Sequence, residues 1–226
     1  MDHDDWNPIY EAIRADMGYD RAADERARDR LAAFVEPFDL GRLDLRGRTV
    51  AVAGGAPSLS ADDPRLVEAD AVVAASTAAD VLLGGDVRVD LMVTDLDKNA
   101  DTAVALTRAG VPVAVHAHGD NVSAIEATLP RMATANVLGT CQVAPTDGVV
   151  DVGGFTDGDR GAFLADHLGA KRLRFPGWDF EDPTVDDEKT AKLGWAERLL
   201  ALLESRRDER FEILDGRRDR IEPIRP

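Results

Sequence analysis

The stretch VDLMVTDLDKNADTAVALTRAGVPVAVHAHGDN, residues 89–121, decides the fold class because its pattern indicates a strand, a helix and a second strand. Residues 89–93 and 111–115 are short apolar runs of the kind that form buried strands, and residues 99–109 indicate a helix that ends at Gly110. Two strands joined through a helix are parallel strands of one sheet. This stretch therefore predicts a parallel α/β fold.

The same alternation continues on either side of that stretch. Further strands are predicted at residues 49–53, 71–75, 136–140, 149–152 and 171–175, and further helices at residues 77–83, 122–129, 159–168 and 189–205. We therefore predict a mostly parallel sheet with helices on both faces. A charged helical pattern at residues 6–38 predicts an N-terminal helical arm, so the chain divides into an arm at residues 1–46 and an α/β domain at residues 47–226, within one globular unit.

The charge balance excludes several classes of partner. The chain has 226 residues with 43 acidic and 27 basic side chains, which gives a formal net charge of −16. Nucleic acids and anionic membranes bind to a basic protein face, so we expect neither as a partner. Small-molecule substrates are expected instead, and the sequence is compatible with a homo-oligomer.

The choice of charged residues indicates the solvent. Four of the 27 basic residues are lysine and 23 are arginine. This bias predicts the cytosol of a halophile, where the Debye length falls to roughly 3 Å; an acidic mesophilic enzyme from a GC-rich genome is the alternative. The single Cys141, the acidic first residues and the lack of an apolar stretch of ~20 residues predict a cytoplasmic protein.

Glycines follow the strand predicted at residues 49–53, in the sequence GGAPSL at residues 54–59. Gly54 and Gly55 would let a nucleotide phosphate approach the main chain, and Ser58 would donate a hydrogen bond or cap a helix. A tight turn without a ligand is the alternative. The G-x-G-x-x-G pattern of dinucleotide-binding folds is absent, so NAD is not expected.

Two carboxylates, Asp95 and Asp97, follow the strand predicted at residues 89–93. Their spacing brings both to one side of the chain, where carboxylates and phosphate oxygens commonly hold Mg²⁺. An Asx turn that caps the next helix is the alternative. The same D-x-D pattern occurs in nucleotide-sugar glycosyltransferases.

The sequence HAHGDN, residues 116–121, follows the next strand. Its H-x-H-x-D pattern suggests zinc, but only two further histidines remain in the chain to complete a site. Asp120 and Asn121 fit better as oxygen donors facing Asp95 and Asp97, with His118 directed to a phosphate. His116 is equally compatible with a place in the core.

A fourth loop, GGFTDGDR at residues 153–160, precedes a predicted helix. Thr156 or Asp157 would cap that helix, the glycines leave main-chain N–H groups for an anion, and Arg160 offers a bidentate phosphate contact. Structural capping is the alternative for Asp157. Because the carboxyl ends of parallel strands share one edge of the sheet, we expect all four loops to form one site.

Together these four loops resemble the archaeal 6-hydroxymethyl-7,8-dihydropterin pyrophosphokinase family, whose pattern runs G-x-G-P-S-L, T-D-L-D, H-A-H-G-D-N and G-F-T-D-G-D-R. The matching segments are residues 54–59, 94–97, 116–121 and 154–160, and the resemblance extends to the GWDF sequence at residues 177–180 and to residues 189–192. Ala56 stands where the family usually has its second glycine. The resemblance implies a fold similar to the catalytic domain of thiamine pyrophosphokinase. It also implies transfer of diphosphate from ATP to the hydroxymethyl oxygen of the reduced pterin, with release of AMP.

Site roles follow from this chemistry and from the residue types. The expected Mg²⁺ ligands are Asp95, Asp97 and Asp120. The residues expected to position the phosphates or to bind the nucleotide are Gly54, Gly55, Ser58, His118, Asn121, Thr156, Asp157 and Arg160. Either Asp120 or Asp157 would accept the hydroxyl proton, and Phe155 and Trp178 are candidates to stack on a flat ring or to belong to the core.

Three other functions are alternatives: a thiamine pyrophosphokinase, a D-x-D glycosyltransferase and a non-catalytic nucleotide-binding regulator. The sequence leaves open whether the product would enter a folate or a methanopterin type of pathway.

Overall fold

The computed structural model describes residues 1–119 and 121–224, and within them the chain forms a seven-stranded sheet in which all neighbouring strands are parallel. The strands are β1 (Thr49–Ala53), β2 (Ala71–Ala75), β3 (Leu91–Thr94), β4 (Val113–Ala117), β5 (Val137–Cys141), β6 (Val149–Val150) and β7 (Arg172–Arg174). Their order across the sheet is β6-β5-β4-β3-β2-β1-β7. The strands β2 to β5 are buried along their whole length, as internal parallel strands are, so the predicted α/β class is confirmed.

Eight α-helices flank this sheet in the described residues. They are α1 (His3–Met17), α2 (Arg21–Ala32), α3 (Pro64–Val67), α4 (Ala78–Gly84), α5 (Ala100–Arg108), α6 (Val122–Thr128), α7 (Asp157–His167) and α8 (Asp187–Arg207). Short 3₁₀ turns occur at Leu40–Arg42, Leu129–Arg131, Thr134–Asn136, Glu212–Leu214 and Arg218–Arg220. In residues 1–119 and 121–224, no helix has both the length and the apolar character required to cross a membrane.

The path of the chain explains why helices cover both faces. From β1 to β6 the strands follow one another in one direction across the sheet, and a single long crossover through α7 then places β7 on the other side of β1. Because parallel crossovers are right-handed, this reversal puts α7 on the face opposite to α4 and α5. The similarity to the thiamine pyrophosphokinase domain stays a prediction.

Helix α7 lies very close to the middle of the sheet. A Cβ atom on Gly161 would lie 3.1 Å from a methyl group of Val73 and 3.3 Å from one of Val52. A larger residue at position 161 would therefore push α7 away from β1 and β2. This close packing fixes the start of α7 beside the carboxyl ends of the strands.

The N-terminal helices are part of the core. Trp6, Tyr10 and Leu31 are completely buried, and the Trp6 ring packs against Phe163 of α7 with ring centroids 6.2 Å apart. The predicted helical region is confirmed, although Gly18, at φ +73°, divides it into α1 and α2. The domain boundary at residue 46 stays a prediction. The packing brings the turn between α1 and α2 to the carboxyl edge of the sheet.

Candidate active site

A cavity of about 850 Å³ opens at the carboxyl edge of the sheet. The predicted site residues that line it are Gly54, Gly55, Asp95, Asp97, His118, Thr156, Asp157 and Arg160. The loops after β1, β3 and β4 and the loop before α7 thus meet at one place. Among the described residues, Ser58 and Asn121 are not part of the lining. Asp120 lies outside the described residues, so its expected roles stay predictions.

The turn after β3 aims two carboxylates at each other. Leu96 has φ +67°, a left-handed conformation that is strained for a leucine, and its side chain is buried. The main-chain N–H of Asp97 donates to Asp95 Oδ1 at 3.1 Å, which forms an Asx turn, but the N-cap of α5 is Asn99 and this turn does not cap the helix. The turn and a metal site are compatible, because the turn leaves both carboxyl groups on the cavity wall.

The two carboxyl groups have opposite pKa shifts. Burial opposes ionisation of Asp95, but hydrogen bonds from His118 and Asp97 hold its pKa well below the usual range. His118 Nε2 lies 3.4 Å from Asp95 Oδ2. Burial, and then the neighbouring Asp95, raise the pKa of Asp97 to about 6. The pair therefore carries one shared proton in mildly acidic solution when nothing is bound.

This pair fits a divalent cation such as Mg²⁺. Two adjacent carboxylates that must share a proton are stabilised by a cation that replaces it. In the described part of the chain, no group of three His, Cys, Asp or Glu side chains is arranged to hold a metal. Mg²⁺ is typically held by one or two carboxylates, with water and substrate phosphates as its other ligands. Asp95 and Asp97 supply such a partial set.

The loop after β4 is fastened by Asn121. Its side-chain Nδ2 donates to the carbonyls of His116 at 2.6 Å and of Asp95 at 2.9 Å, and its Oδ1 accepts from the His118 N–H at 3.1 Å. Asn121 is buried, so its amide joins the two loops and does not line the cavity. The role that the structure gives it is to hold Asp95 and His118 next to each other.

His116 belongs to the core, as one of the two interpretations expected. Its ring is 1% exposed, with Nδ1 3.1 Å from Thr140 Oγ1 and Nε2 3.3 Å from Gln142 Oε1. Burial lowers the pKa of His116 well below its ordinary value. The ring is therefore neutral, and its partners are neutral side chains at the floor of the cavity.

A buried carboxylate, Asp24 of α2, connects the N-terminal helices to this floor. It accepts hydrogen bonds from the Tyr10 hydroxyl, from the Gly119 N–H at 2.8 Å and from Gln142 Nε2 at 3.2 Å. Asp24 is 2% exposed and Gln142 is 3% exposed. The position of Gly119 in the loop after β4 thus depends on a residue nearly a hundred positions earlier.

A capping box builds the start of α7. The Asp159 carboxylate accepts hydrogen bonds from the main-chain N–H groups of Phe155 and Thr156, and from the Thr156 hydroxyl at 2.6 Å. Asp159 is completely buried. The Thr156 side chain is thus engaged by the loop itself, and the T-x-x-D spacing is the sequence signal for this role. The box fixes the loop that carries Asp157.

Asp157 and Arg160 lie next to each other at the cavity wall. Arg160 Nη1 lies 3.7 Å from Asp157 Oδ1, while Nη2 donates to the carbonyls of Gly154 at 3.1 Å and of Phe155 at 2.9 Å. Burial, followed by the charge of Asp95, raises the pKa of Asp157 to about 8. Arg160 is 1% exposed, so part of the guanidinium expected to bind phosphate holds its own loop.

The first loop packs against the segment after β7. The Gly54 N–H donates to the Pro176 carbonyl at 2.9 Å, so it is engaged within the protein. A Cβ atom on Gly54 would lie 2.6 Å from the Gly177 carbonyl oxygen and 2.9 Å from the Trp178 ring. Glycine is required here for contact between two loops. Ser58 is exposed, beyond the cavity lining formed by the described residues.

Comparison with known proteins shows the family of this chain. A family model described as 6-hydroxymethylpterin diphosphokinase MptE-like matches residues 29–184, more than half of the chain. The chain belongs to this family. The family resemblance of the four loops is therefore confirmed.

Three relatives of this chain carry the name 6-hydroxymethyl-7,8-dihydropterin pyrophosphokinase. The protein of Methanothermobacter thermautotrophicus is 37% identical, over 92% of this chain and 97% of its own length. The protein of Methanocaldococcus jannaschii is 31% identical, over 93% of this chain and 99% of its own length. The protein of Pyrococcus furiosus is 38% identical, over 80% of this chain and 79% of its own length.

Several further residues line the cavity, although no strong signal in the sequence marks them as site residues. They are Tyr19, Asp24, Ser76, Thr77, Lys98 and Gln142, whereas Lys189 and Lys192, which also line the cavity, belong to the segment 189–192 that the family resemblance included. Ser76 and Thr77 directly follow β2, so the rule that sites lie beyond the carboxyl ends of strands would have found them. Tyr19 lies between two helices, where the sequence pattern carries no information about its neighbours.

Proposed function

We propose that this protein transfers diphosphate from ATP to the hydroxymethyl group of 6-hydroxymethyl-7,8-dihydropterin, with Mg²⁺, and releases AMP. The observation that carries the proposal is that the four loops of the family pattern meet around one cavity of about 850 Å³. Small-molecule sites span roughly 300–1,000 Å³, so this volume suits two substrates side by side. The names of the three relatives support the same substrate.

The reaction needs positioning more than covalent chemistry. The hydroxymethyl oxygen attacks the β-phosphorus of ATP and forms a new O–P bond. The bond from the β-phosphorus to the oxygen that bridges to the α-phosphorus breaks, and its electron pair leaves with AMP. The hydroxyl proton passes to a base, so the enzyme must align the reactants and neutralise charge.

Asp157 is the base in this proposal. Its carboxyl group lines the cavity, at the first residue of α7. A general base is most effective when its pKa is near the working pH, and burial raises that of Asp157 to about 8. The capping box formed by Asp159 fixes the loop on which it sits. Asp120 keeps its alternative role as a prediction.

Asp95 and Asp97 hold Mg²⁺ in this proposal, and the bound ion would neutralise phosphate charge and orient the phosphates for attack. His118 contacts Asp95 and lines the cavity, from where it reaches a phosphate. Phe155 and Trp178 also line the cavity and offer flat apolar surface to a pterin or an adenine ring.

The direct test is an assay with ATP, Mg²⁺ and the reduced hydroxymethylpterin. We expect AMP and the pterin diphosphate in equal amounts by chromatography. Release of ADP, or diphosphate transfer to thiamine and not to the pterin, would overturn the proposal. Binding of a UDP-sugar without binding of ATP would favour a glycosyltransferase.

The metal-binding role is tested by Asp97→Asn, which keeps the shape of the side chain. We expect a loss of activity of at least about 100-fold with retained thermal stability. Asp101→Asn is the matched control, since the Asp101 side chain is 87% exposed on α5. Activity of Asp97→Asn equal to that of the control would remove Asp97 from the metal site.

A further inference from the structure

Lysine is rare in this chain, yet it is concentrated around the cavity. The sequence holds four lysines against 23 arginines. Lys98, Lys189 and Lys192 line the cavity, and Arg160 is the one arginine in its described lining. The fourth lysine, Lys171, is exposed elsewhere. A composition that favours arginine across the protein is thus reversed at this one place.

The lysines also provide most of the cationic charge that is available to a ligand. Arg160 donates from Nη2 to two carbonyls of its own loop. Within the described residues, the ammonium groups of Lys98 and Lys189 have neither a hydrogen bond nor an ion pair. Lys192 pairs with Glu188 at 2.7 Å and remains a third exposed to solvent. Among the described residues, two cations without a partner therefore belong to a cavity lining that is otherwise rich in carboxylates.

The position of Lys189 is unfavourable for the helix that carries it. Lys189 is the third residue of α8, after the N-cap Asp186 and two acidic residues. The N-terminus of a helix has partial positive charge, so a cation in the first turn opposes the helix dipole. Lys189 and Lys192 are three residues apart and line the same cavity. Helix stability does not account for this arrangement, whereas an anionic ligand does.

The two groups of lysines approach the carboxylates from different elements. Lys98 follows Asp97, and its charge acts on that carboxyl group. Lys189 acts in the same way on Asp157, and both residues line the cavity. Ser76 adds an independent sign of a polar ligand, because its buried hydroxyl lines the cavity and has no hydrogen-bond partner in the described residues.

We propose that Lys98, Lys189 and Lys192 bind the β- and γ-phosphates of ATP and hold the diphosphate group during its transfer. This inference rests on the proposed function for the identity of the triphosphate. Lysine suits the task because its compact ammonium group sits on a flexible stem and can follow a phosphate whose geometry changes. The fixed fork of arginine suits a static anion.

The test measures binding without turnover, by calorimetry with Mg²⁺ and α,β-methylene-ATP, an analogue whose α–β linkage is not cleaved. For Lys98→Met and Lys189→Met we expect a roughly 10- to 100-fold weaker affinity, the effect of losing one charge-assisted hydrogen bond. Affinity for AMP should stay within about twofold, because AMP lacks both phosphates.

Lys171→Met is the matched control and should bind the analogue as the wild type does. The melting temperature without ligand should not fall in Lys189→Met, since this side chain is exposed and its charge opposes the helix dipole. Wild-type affinity in Lys98→Met and Lys189→Met, or an equal loss of affinity for AMP, would overturn the inference. A wild type that binds the analogue but forms no AMP would instead overturn the proposed function and leave the lysine assignment standing.

Discussion

Replacement of Asp157 by asparagine should stabilise the protein, and increasingly so as the pH rises. The Asp157 side chain is 16% exposed, and burial, with the charges of Asp95 and Asp97, raises its pKa from 3.8 to about 8. Between these two values the folded chain keeps a proton that the unfolded chain has released. The contribution of the Asp157 carboxyl group to the free energy of unfolding is therefore fully present below about pH 4 and is lost as the pH rises to 8.

The size of this effect on stability follows from the shift in the pKa of Asp157. One pKa unit corresponds to about 1.4 kcal/mol, so a shift of about four units removes up to about 5 kcal/mol from the free energy of unfolding by pH 8. Asparagine has the same shape and does not titrate. The difference in stability between Asp157→Asn and the wild type should thus grow by several kcal/mol from pH 4 to pH 8.

Urea unfolding at intervals from pH 5 to pH 9, without Mg²⁺, measures this difference. Comparison with the wild type at each pH cancels the titration of all other groups. Asp29→Asn, at a side chain that is 63% exposed, should give a constant difference. If the difference for Asp157→Asn also stays constant within about 1 kcal/mol, Asp157 is ionised in the folded protein and its pKa is not raised.

Other variants test the remaining contacts of the site. Asp157→Asn should also lower kcat by about 100- to 10,000-fold and remove the rise of activity towards pH 8, both read from a pH–rate profile. Gly54→Ala, whose Cβ would lie 2.6 Å from the Gly177 oxygen, should cost about 1–3 kcal/mol in urea unfolding, whereas Gly194→Ala, in open space on α8, should gain about 0.5–1 kcal/mol. Asp24→Ala leaves the Tyr10 hydroxyl, the Gly119 N–H and Gln142 Nε2 as buried donors without their acceptor and should cost about 3–5 kcal/mol. Asp29→Ala on the same helix should cost less than about 0.5 kcal/mol. Equal costs for the two α2 variants would show that the buried contacts of Asp24 carry no stability.

The strands and most helices were predictable because each leaves a local pattern. The apolar run at residues 71–75 coincides with β2 (Ala71–Ala75), and the helix predicted at 189–205 is α8 (Asp187–Arg207). The common edge of the four loops was also predictable, because parallel strands end on the same side. The position of β7 beside β1 was not predictable from the sequence. The order of the strands depends on which strands pair at the edges of the sheet, and no local sequence pattern indicates this pairing.

The neighbours of polar residues could not be predicted from the sequence, for a similar reason. Asp24 lies in a strongly polar helix and has the sequence signature of an exposed residue, yet it is buried under the loop after β4. Arg160 and Asp159 also look like surface charges, but α7 crosses the middle of the sheet and buries both. Burial of a charge depends on what another part of the chain places over it, and hydrophobic periodicity describes only the element itself.

In the proposed function, the acidity of the cavity would couple the binding of ATP to the binding of Mg²⁺. At neutral pH the carboxylates of Asp95 and Asp97 would repel a triphosphate, and the lysines that line the same cavity would offset only part of that repulsion. A divalent cation on the carboxylates would reverse the local charge and, at the same time, add a ligand for the phosphates. Because coupling between two ligands is reciprocal, ATP must then raise the affinity for Mg²⁺ by the same factor. Replacement of Asp97 by asparagine removes one repulsive charge and one metal ligand. It should therefore strengthen binding of metal-free ATP and weaken binding of the Mg²⁺ complex, and an identical change in both affinities, measured by calorimetry with and without Mg²⁺, would show that Asp97 does not hold the metal.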